Sequence, residues 1–283
     1  MILVTGSTGN VGGELVKQLA AKGHQVRALV RDAKEATGKL PTTVDVAVGD
    51  FDDVDALAAA MRGVDKVYAL VPFTPALQQH DANLLAAARR AGVKHVVKHS
   101  VFGAEYEAVS LGRWHRAGEK ALEASGLAWT HVRPGGFSSN ALQWVGSIKA
   151  AGSVYYPTGD GKLAPIDPRD IAAAAAAALT GSGHEGKAYA LTGPVALSTG
   201  EQIAIIGKAL GKQLTYVDVP DSAARESMIG MGMPAQVVDA LLEFTAMVRA
   251  GQAAVVTRSV EELTGTAARP FETWVRDNIA AFR

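Results

Sequence analysis

Short apolar runs alternate with longer amphipathic stretches along the first half of the chain. The short runs are rich in Val, Ile and Leu, and several lack polar alternation, which is typical of strands covered on both faces. Between them, apolar positions recur at helical spacing, and several of these stretches end in glycine, which favours a helix end. The pattern predicts strands at residues 2–5, 25–31, 44–48, 66–71, 95–100 and 129–133, and helices at 11–22, 53–62, 75–91 and 113–125.

This order of elements predicts an α/β fold, in which a doubly wound parallel sheet forms a Rossmann core. From about residue 135 the pattern loosens, and it predicts strands at 189–191 and 214–219 and helices at 198–210 and after Pro220 and Pro234. We interpret residues 1–135 as a nucleotide-binding core, and 136–283 as mainly a smaller α/β cap with segments that return to the core. Open α/β sheets bind ligands at the carboxyl ends of their strands, so we expect the cap to cover that edge.

Composition and charge narrow the function classes. The 283 residues carry 28 basic and 28 acidic side chains, so the net charge favours neither nucleic acid nor an anionic membrane surface. The absence of cysteine excludes disulfides, thiolate metal sites and thiol nucleophiles, and the histidine spacings indicate no metal site. The start of the chain has no signal-peptide pattern, and the longest apolar run, 171–179, is too short to cross a bilayer. We expect a cytoplasmic monomer or homodimer that acts on a small molecule, without a nucleic-acid or membrane partner.

A glycine-rich loop joins the first predicted strand to the first predicted helix. Gly6, Gly9 and Gly12 recur at three-residue intervals, and such a strand, loop and helix is typical of dinucleotide binding. The first glycine permits a tight turn, the second lets the backbone approach a pyrophosphate, and the third lets the helix lie close to the strand. The predicted cofactor-binding residues of this loop are Gly6, Ser7, Thr8, Gly9, Asn10, Val11 and Gly12.

The glycine spacing resembles the extended and atypical branches of the short-chain dehydrogenase/reductase superfamily. Further motifs at 26–32, 49–50, 86–97 and 126–135 resemble the NmrA-like group of atypical NAD(P)H-binding proteins, which includes quinone and triphenylmethane reductases. The likeness covers most of the chain and continues through Asp170 and residues 189–194. It implies that Asp50 and Phe51 contact the adenine, and that Val71, Pro72 and Phe73 flank the nicotinamide ribose, although for Phe73 a place in the core is about equally plausible.

The choice of nicotinamide cofactor depends on the end of the second strand. An acidic side chain there is typical of NAD binding, whereas arginine pairs with the additional phosphate of NADP. Both types occur here, as Arg31 and Asp32. Since Arg31 ends the apolar run, we assign it the recognition position and predict NADPH over NADH. The alternative is a solvated arginine at a strand end.

The chain lacks the Tyr-x-x-x-Lys pair that is typical of the superfamily, because none of its six tyrosines is followed four residues later by lysine. The corresponding helix carries His115 and Glu119, one turn apart, and the resemblance to quinone reductases also places a histidine there. We predict His115 as an acid or ligand anchor whose ring is held, and whose pKa is raised, by Glu119. An exposed helical pair is the alternative. Ser100 matches the topological place of the superfamily's active-site serine, and the sequence does not decide between Lys98 and His99.

Without a Tyr–Lys acid, the predicted reaction is hydride transfer from NADPH to a small electrophilic acceptor, either quinone-like, conjugated or a cationic aromatic. Such acceptors need a dry apolar pocket. The candidate walls, each equally consistent with the core, are Phe73, Phe102, Phe137, Trp144 and Met228. The alternative function is a non-enzymatic redox sensor of NmrA type, which binds NAD(P) and regulates a partner protein.

Overall fold

Seven parallel strands form the central sheet of the computed structural model, which describes residues 1–283. The expected doubly wound fold is confirmed. The strands of the chain are β1 (Ile2–Val4), β2 (Val26–Val30), β3 (Asp45–Val48), β4 (Lys66–Ala69), β5 (His95–His99), β6 (Ala128–Pro134), β7 (Ser153–Tyr156), β8 (Lys162–Leu163), β9 (Lys187–Leu191), β10 (Leu197–Ser198) and β11 (Thr215–Asp218). The helices are α1 (Asn10–Ala21), α2 (Val54–Ala60), α3 (Leu77–Ala91), α4 (Ser110–Glu123), α5 (Val145–Ala151), α6 (Pro168–Thr180), α7 (Thr199–Leu210), α8 (Asp221–Gly230), α9 (Ala235–Arg249), α10 (Ser259–Thr264) and α11 (Phe271–Asn278).

The strand order of the sheet is β3-β2-β1-β4-β5-β6-β9. Because the chain moves outward from β1 in both directions, the carboxyl ends of β1 and β4 border the point where the order reverses, which is where such sheets bind ligands. Separate hydrophobic cores lie on the two faces. One contains Leu15 of α1 and Ile171 of α6, and the other contains Leu57 of α2 and Leu84 of α3.

The seventh strand comes from the second half of the chain. β9 pairs in parallel with β6, so that Pro134 lies opposite Leu191. The first half of the sequence supplies six strands, and the local pattern near 189–191 predicts a strand without showing its partner. Strand neighbours are set by long-range pairing, which removes the open edge that β6 would otherwise present.

The remaining second half builds a cap with its own core. β7 pairs with β11 and β8 pairs with β10, while buried aromatic side chains, including Trp274 and Phe271, fill the space between the cap helices. α9 packs on α4 of the sheet layer, and α8 packs on α9. No helix combines the length and the apolar character that crossing a lipid bilayer would require.

Candidate functional site

At the loop between β1 and α1, the backbone at Gly12 lies very close to the backbone at Gly6. Gly6 has a φ of 60°, and its carbonyl oxygen accepts a 3.0 Å hydrogen bond from the Gly9 amide. A Cβ at Gly12 would overlap the Gly6 carbonyl oxygen and lie 2.6 Å from the carbonyl carbon. Glycine at both positions is therefore required for the tight turn that brings α1 against the end of β1.

The first turn of α1 leaves backbone donors free. Asn10, Val11 and Gly12 have amide groups without a backbone partner, no side chain caps the helix, and no acidic residue occupies its first turn. Free amides at the positive end of a helix dipole suit an anion such as a pyrophosphate. The loop therefore fits the phosphates of a dinucleotide, with Val11 contributing only its backbone because its side chain is buried in the core.

Polar contacts brace this loop from both sides. The Ser7 hydroxyl donates to the Leu29 carbonyl of β2 at 2.8 Å, and Asn10 donates to Ser139 of the cap at 3.3 Å. A polar cavity of about 600 Å³ borders the loop. The predicted residues Ser7, Thr8, Gly9 and Asn10 line it, together with basic side chains from other segments, Lys39 and Arg169.

Arg31 and Asp32, which follow β2, have different surroundings. The Arg31 guanidinium is 76% exposed, and its nearest acidic partner is Glu35 at 3.6 Å. The Asp32 carboxylate instead accepts a 2.9 Å hydrogen bond from the Lys34 amide and caps a short 3-10 helix. The side chain of Asp32 is thus engaged locally, while that of Arg31 is available to a ligand.

The predicted adenine and ribose contacts follow the next two strands. Asp50 is exposed after β3, and the Phe51 ring is partly buried beside His80, with ring centroids 5.6 Å apart. Val71, Pro72 and Phe73 follow β4 and line a second, apolar cavity. The Thr5 hydroxyl donates to the Leu70 carbonyl at 2.8 Å, which fixes this segment to the end of β1.

The apolar cavity has a volume of about 440 Å³ and lies at the carboxyl ends of β4, β5 and β6. The structure brings together Phe73, Phe102 and Phe137 in its wall, with Ser100 and His115. Sequence reasoning missed several other wall residues, because their places in the wall depend on how distant segments of the chain, such as β5, α4, β7 and α9, come together. These are His99, Leu111, Asn140, Tyr156, Leu241, Phe244 and Met247.

Two predicted wall residues do not line this cavity. Trp144 is buried in the cap core and borders a smaller adjoining cavity of about 50 Å³. Met228 lies on α8, which packs against α9. The methionine that lines the cavity is instead Met247 of α9.

His115 is placed at the cavity, but the prediction for its ring was wrong. The Glu119 carboxylate is fully buried and accepts 2.8 Å hydrogen bonds from Arg133, so it does not bond to His115. Burial, assisted by the charge of Lys98, lowers the pKa of His115 to about 3, and Glu119 opposes this only weakly. The ring instead stacks on Phe73, with centroids 6.2 Å apart. At neutral pH His115 is thus a neutral imidazole, neither raised in pKa nor held by a carboxylate.

Lys98 lies on the face of β5 opposite to His99, and Ser100 follows the end of this strand at the cavity. The Ser100 hydroxyl is buried without a hydrogen bond of good geometry, although it lies close enough to Glu119 to help lower the pKa of that carboxyl. Lys98 forms a buried ion pair with Asp81 of α3. Strand alternation therefore directs Lys98 away from the cavity and His99 toward it, which resolves the choice that the sequence left open.

Glu119, Glu123 and His131 form one cluster with metal-ligand geometry, since their ligand atoms lie within 4.8 Å of one another. Sequence spacing did not reveal this cluster, because His131 comes from β6 and the carboxylates from α4. Arg133 and Arg116 already bind both carboxylates. The cluster is therefore a charge-balanced ion-pair network that ties α4 to the sheet.

Known proteins resemble this chain over almost all of its length. The model of the NmrA-like family matches residues 1–271. An NAD(P)H azoreductase of Xenophilus azovorans is 41% identical over all of this chain and 99% of its own length, and a (4-alkanoyl-5-oxo-2,5-dihydrofuran-3-yl)methyl phosphate reductase of Streptomyces griseus is 43% identical with the same coverage. The crystal structure of an Escherichia coli NADPH-dependent quinone oxidoreductase complexed with NADPH superposes with a TM-score of 0.88, at 28% identity, over 98% of this chain and 99% of that one.

Proposed function

Because this chain belongs to the NmrA-like family, as the sequence predicted, we propose that it is an NADPH-dependent reductase of flat, electrophilic small molecules. The chain is an NAD(P)H-dependent oxidoreductase, a class supported by full-length relatives that are reductases. One observation carries the substrate class: an apolar cavity walled by four phenylalanines, Phe73, Phe102, Phe137 and Phe244, opens at the strand ends beside the phosphate loop. A quinone, an azo compound, a conjugated lactone or a cationic triaryl dye suits such a wall.

We assign the cofactor to the phosphate loop and the acceptor to the apolar cavity. The free amides of Asn10, Val11 and Gly12 suit the phosphates of a bound NADPH, and Arg31 is free to pair with its additional phosphate. NADPH supplies a hydride when it is bound. The apolar cavity holds the acceptor and excludes water, so that orientation provides much of the barrier reduction.

We assign His115 and Ser100 supporting roles in the cavity. A neutral His115 has no imidazolium proton to give at neutral pH, so of the two predicted roles, anchoring a ligand fits and acid catalysis does not. The Ser100 hydroxyl borders the cavity after the end of β5 and lies close to the Glu119 carboxylate, so it is placed to contact a ligand. We expect His115→Gln to raise the KM for an acceptor more than it lowers kcat.

A screen for NADPH oxidation tests the function. The purified protein is incubated with NADPH and with quinones, azo dyes, triarylmethyl dyes, enones and imines in turn. We expect turnover with at least one acceptor class. If none supports turnover while NADP⁺ and NADPH bind with different affinities, the protein is a redox sensor rather than a reductase.

We also propose a compartment and an oligomeric state for the protein. A small-molecule substrate and the balanced charge of the chain fit a protein that works in the cytoplasm as a monomer or homodimer. Light scattering on the purified protein distinguishes the two assemblies, and a larger complex would contradict both.

A further inference from the structure

A buried tyrosine and a histidine meet across neighbouring strands beneath the apolar cavity. Tyr68 of β4 is fully buried, and its hydroxyl lies 2.6 Å from Nδ1 of His99 at the end of β5. That nitrogen is the only hydrogen-bond partner of the Tyr68 hydroxyl. The pair is not part of the phosphate loop or of the α4 ion-pair network.

This contact fixes the tautomer of His99. If Nδ1 carried the ring proton, it would donate to Tyr68, and the buried phenol proton would have no acceptor. Leaving a buried donor unsatisfied costs about 1–3 kcal/mol. The favoured arrangement therefore has Tyr68 donating to Nδ1 and the ring proton on Nε2.

Both groups are neutral. Burial, reinforced by the charge of Lys98, lowers the pKa of His99 to about 3. Burial also raises the pKa of Tyr68 far above its usual value. A proton passed from Tyr68 through His99 would leave a buried phenolate, so the pair holds a hydrogen-bond donor in place and does not relay a proton.

The donor belongs to a ring that lines the cavity. His99 packs edge-on against Phe137, with centroids 5.8 Å apart and ring planes at 89°. Its Nε2 has no hydrogen-bond partner in the protein. His115 and Ser100 also border the cavity, but neither side chain has a hydrogen bond that fixes its donor.

We propose that His99 is a catalytic residue that donates a hydrogen bond from Nε2 to the substrate oxygen or nitrogen that becomes negatively charged during reduction, with Tyr68 as its positioning residue. This inference rests on the proposed function. A neutral acceptor gains a hydride, which is one proton with two electrons, and the reduced nicotinamide is oxidised. Its carbonyl oxygen or azo nitrogen then holds the negative charge until it takes a proton from water as the product leaves the cavity. A neutral imidazole N–H stabilises such a charge without giving up its own proton.

A comparison of cationic with neutral acceptors distinguishes a catalytic role of His99 from a purely structural one. A triarylmethyl cation becomes neutral when it gains a hydride, so no anion forms for His99 to stabilise. A quinone or azo compound in the same cavity does form one. The ratio of kcat for a quinone to kcat for a cationic dye therefore reports on the hydrogen bond, because changes in folding or cofactor binding affect both rates alike.

Matched variants test the His99 hydrogen bond through the quinone-to-dye ratio of kcat. In the double variant Tyr68→Phe/His99→Phe, which leaves no unpaired buried polar group, we expect the quinone-to-dye ratio to fall about 10²-fold. Tyr68→Phe alone should lower it less, since part of the population keeps the competent tautomer. The control is Tyr189→Phe, which removes a similar hydroxyl contact, 2.8 Å from His184 Nδ1, outside the cavity. It should leave the ratio unchanged.

Nitrogen-15 NMR of labelled histidine gives a readout that does not depend on turnover. We expect the His99 signals, identified by their loss in the double variant, to show a protonated Nε2 and an acceptor Nδ1, and Tyr68→Phe to mix the tautomers. A proton on Nδ1 in the unmodified protein, or turnover with an unchanged ratio in the double variant, overturns the inference alone. Absence of turnover with every acceptor overturns the proposed function, and the inference with it.

Discussion

Gly118 keeps a buried ion pair in place through the absence of a side chain. It lies on α4 directly over the Lys98–Asp81 pair, and a Cβ there would overlap the Asp81 carboxylate and lie 2.9 Å from Lys98 Cε. Neither partner has room to move, because both side chains are almost completely buried. Displacing one charge would leave the other unpaired in a medium of low polarity.

We therefore predict that Gly118→Ala lowers the free energy of unfolding by about 3 kcal/mol. Urea denaturation followed by circular dichroism measures the loss. Gly112→Ala on the same helix is the control, since its Cβ would meet the nearest atom, the Gly103 carbonyl oxygen, at 3.5 Å. That variant should be neutral, or up to about 1 kcal/mol more stable because alanine favours the helix. Equal effects at the two positions would contradict the role of the ion pair.

Arg31 is expected to determine cofactor preference. We predict that Arg31→Ala raises the Kd for NADPH by about 10-fold or more, because hydrogen bonds to a charged phosphate are lost, and changes the Kd for NADH little. Fluorescence titration with each cofactor measures both constants. Arg225→Ala, which removes an exposed arginine of the cap, is the control. An Arg31→Ala protein that kept its preference would show that other groups recognise the phosphate.

At the scale of elements, the helix α6 depends on small side chains. Its alanines at 172, 174, 175, 176 and 178 are buried against α1 and the sheet. Any longer side chain would separate these two layers, since cores tolerate little extra volume. The alanine run is thus the surface against which α1 packs, and α1 carries the phosphate loop at its start.

We predict that Ala175→Leu lowers the free energy of unfolding by about 1–3 kcal/mol through overpacking. Thermal denaturation measures the change, and the Kd for NADPH should rise as α1 shifts. Ala173→Leu, at a partly exposed position of the same helix, is the control and should be close to neutral. If both substitutions were equally tolerated, α6 would not be tightly packed.

The sequence predicted those elements and residues whose signals are local. The phosphate loop and the strands of the first half follow from motif spacing and periodicity, whereas Phe102 and Phe137 were candidates for the cavity wall that fitted the core equally well. The positions of Trp144 and Met228, the neutral state of His115 and the Tyr68–His99 contact depend on how distant segments pack. Periodicity along a chain carries no information on which helix covers a cavity, or on how deeply a titratable group is buried.

Across the whole molecule, buried histidines make stability depend on pH. The pKa values of His99 and His115 are lowered to about 3 by burial, whereas an unfolded chain titrates histidine near 6.5. Below pH 6.5 the unfolded chain therefore binds more protons than the folded one. The contribution of these two rings to stability is therefore complete above that pH, and it is lost as the pH decreases toward 3, where the folded rings also become protonated.

We predict that these two histidines contribute about 3 kcal/mol per pH unit to the slope of stability against pH near pH 5, which follows from about 1.4 kcal/mol per proton. Urea titrations of the protein and its variants at several pH values between 7 and 4.5 give the slopes to be compared. His115→Gln should reduce the slope by about 1.4 kcal/mol per pH unit, which corresponds to one proton, and His24→Gln, at an exposed position, is the control. A slope that His115→Gln left unchanged would mean that this ring is protonated in the folded protein.

The placement of β9 at the end of the sheet has a consequence for synthesis on the ribosome. The edge of β6 stays open until residues 187–191 have left the exit tunnel, and the face under α6 stays bare almost as long. At 5–20 residues per second, the segment from β6 to β9 takes roughly 3–10 s to be made. Nascent chains stalled after residue 150 should be cleaved by protease within the β-sheet, and chains stalled well beyond β9 should resist. The first half of the sheet is thus completed only by a late strand, and the newly made protein is most exposed to chaperones and aggregation during those seconds.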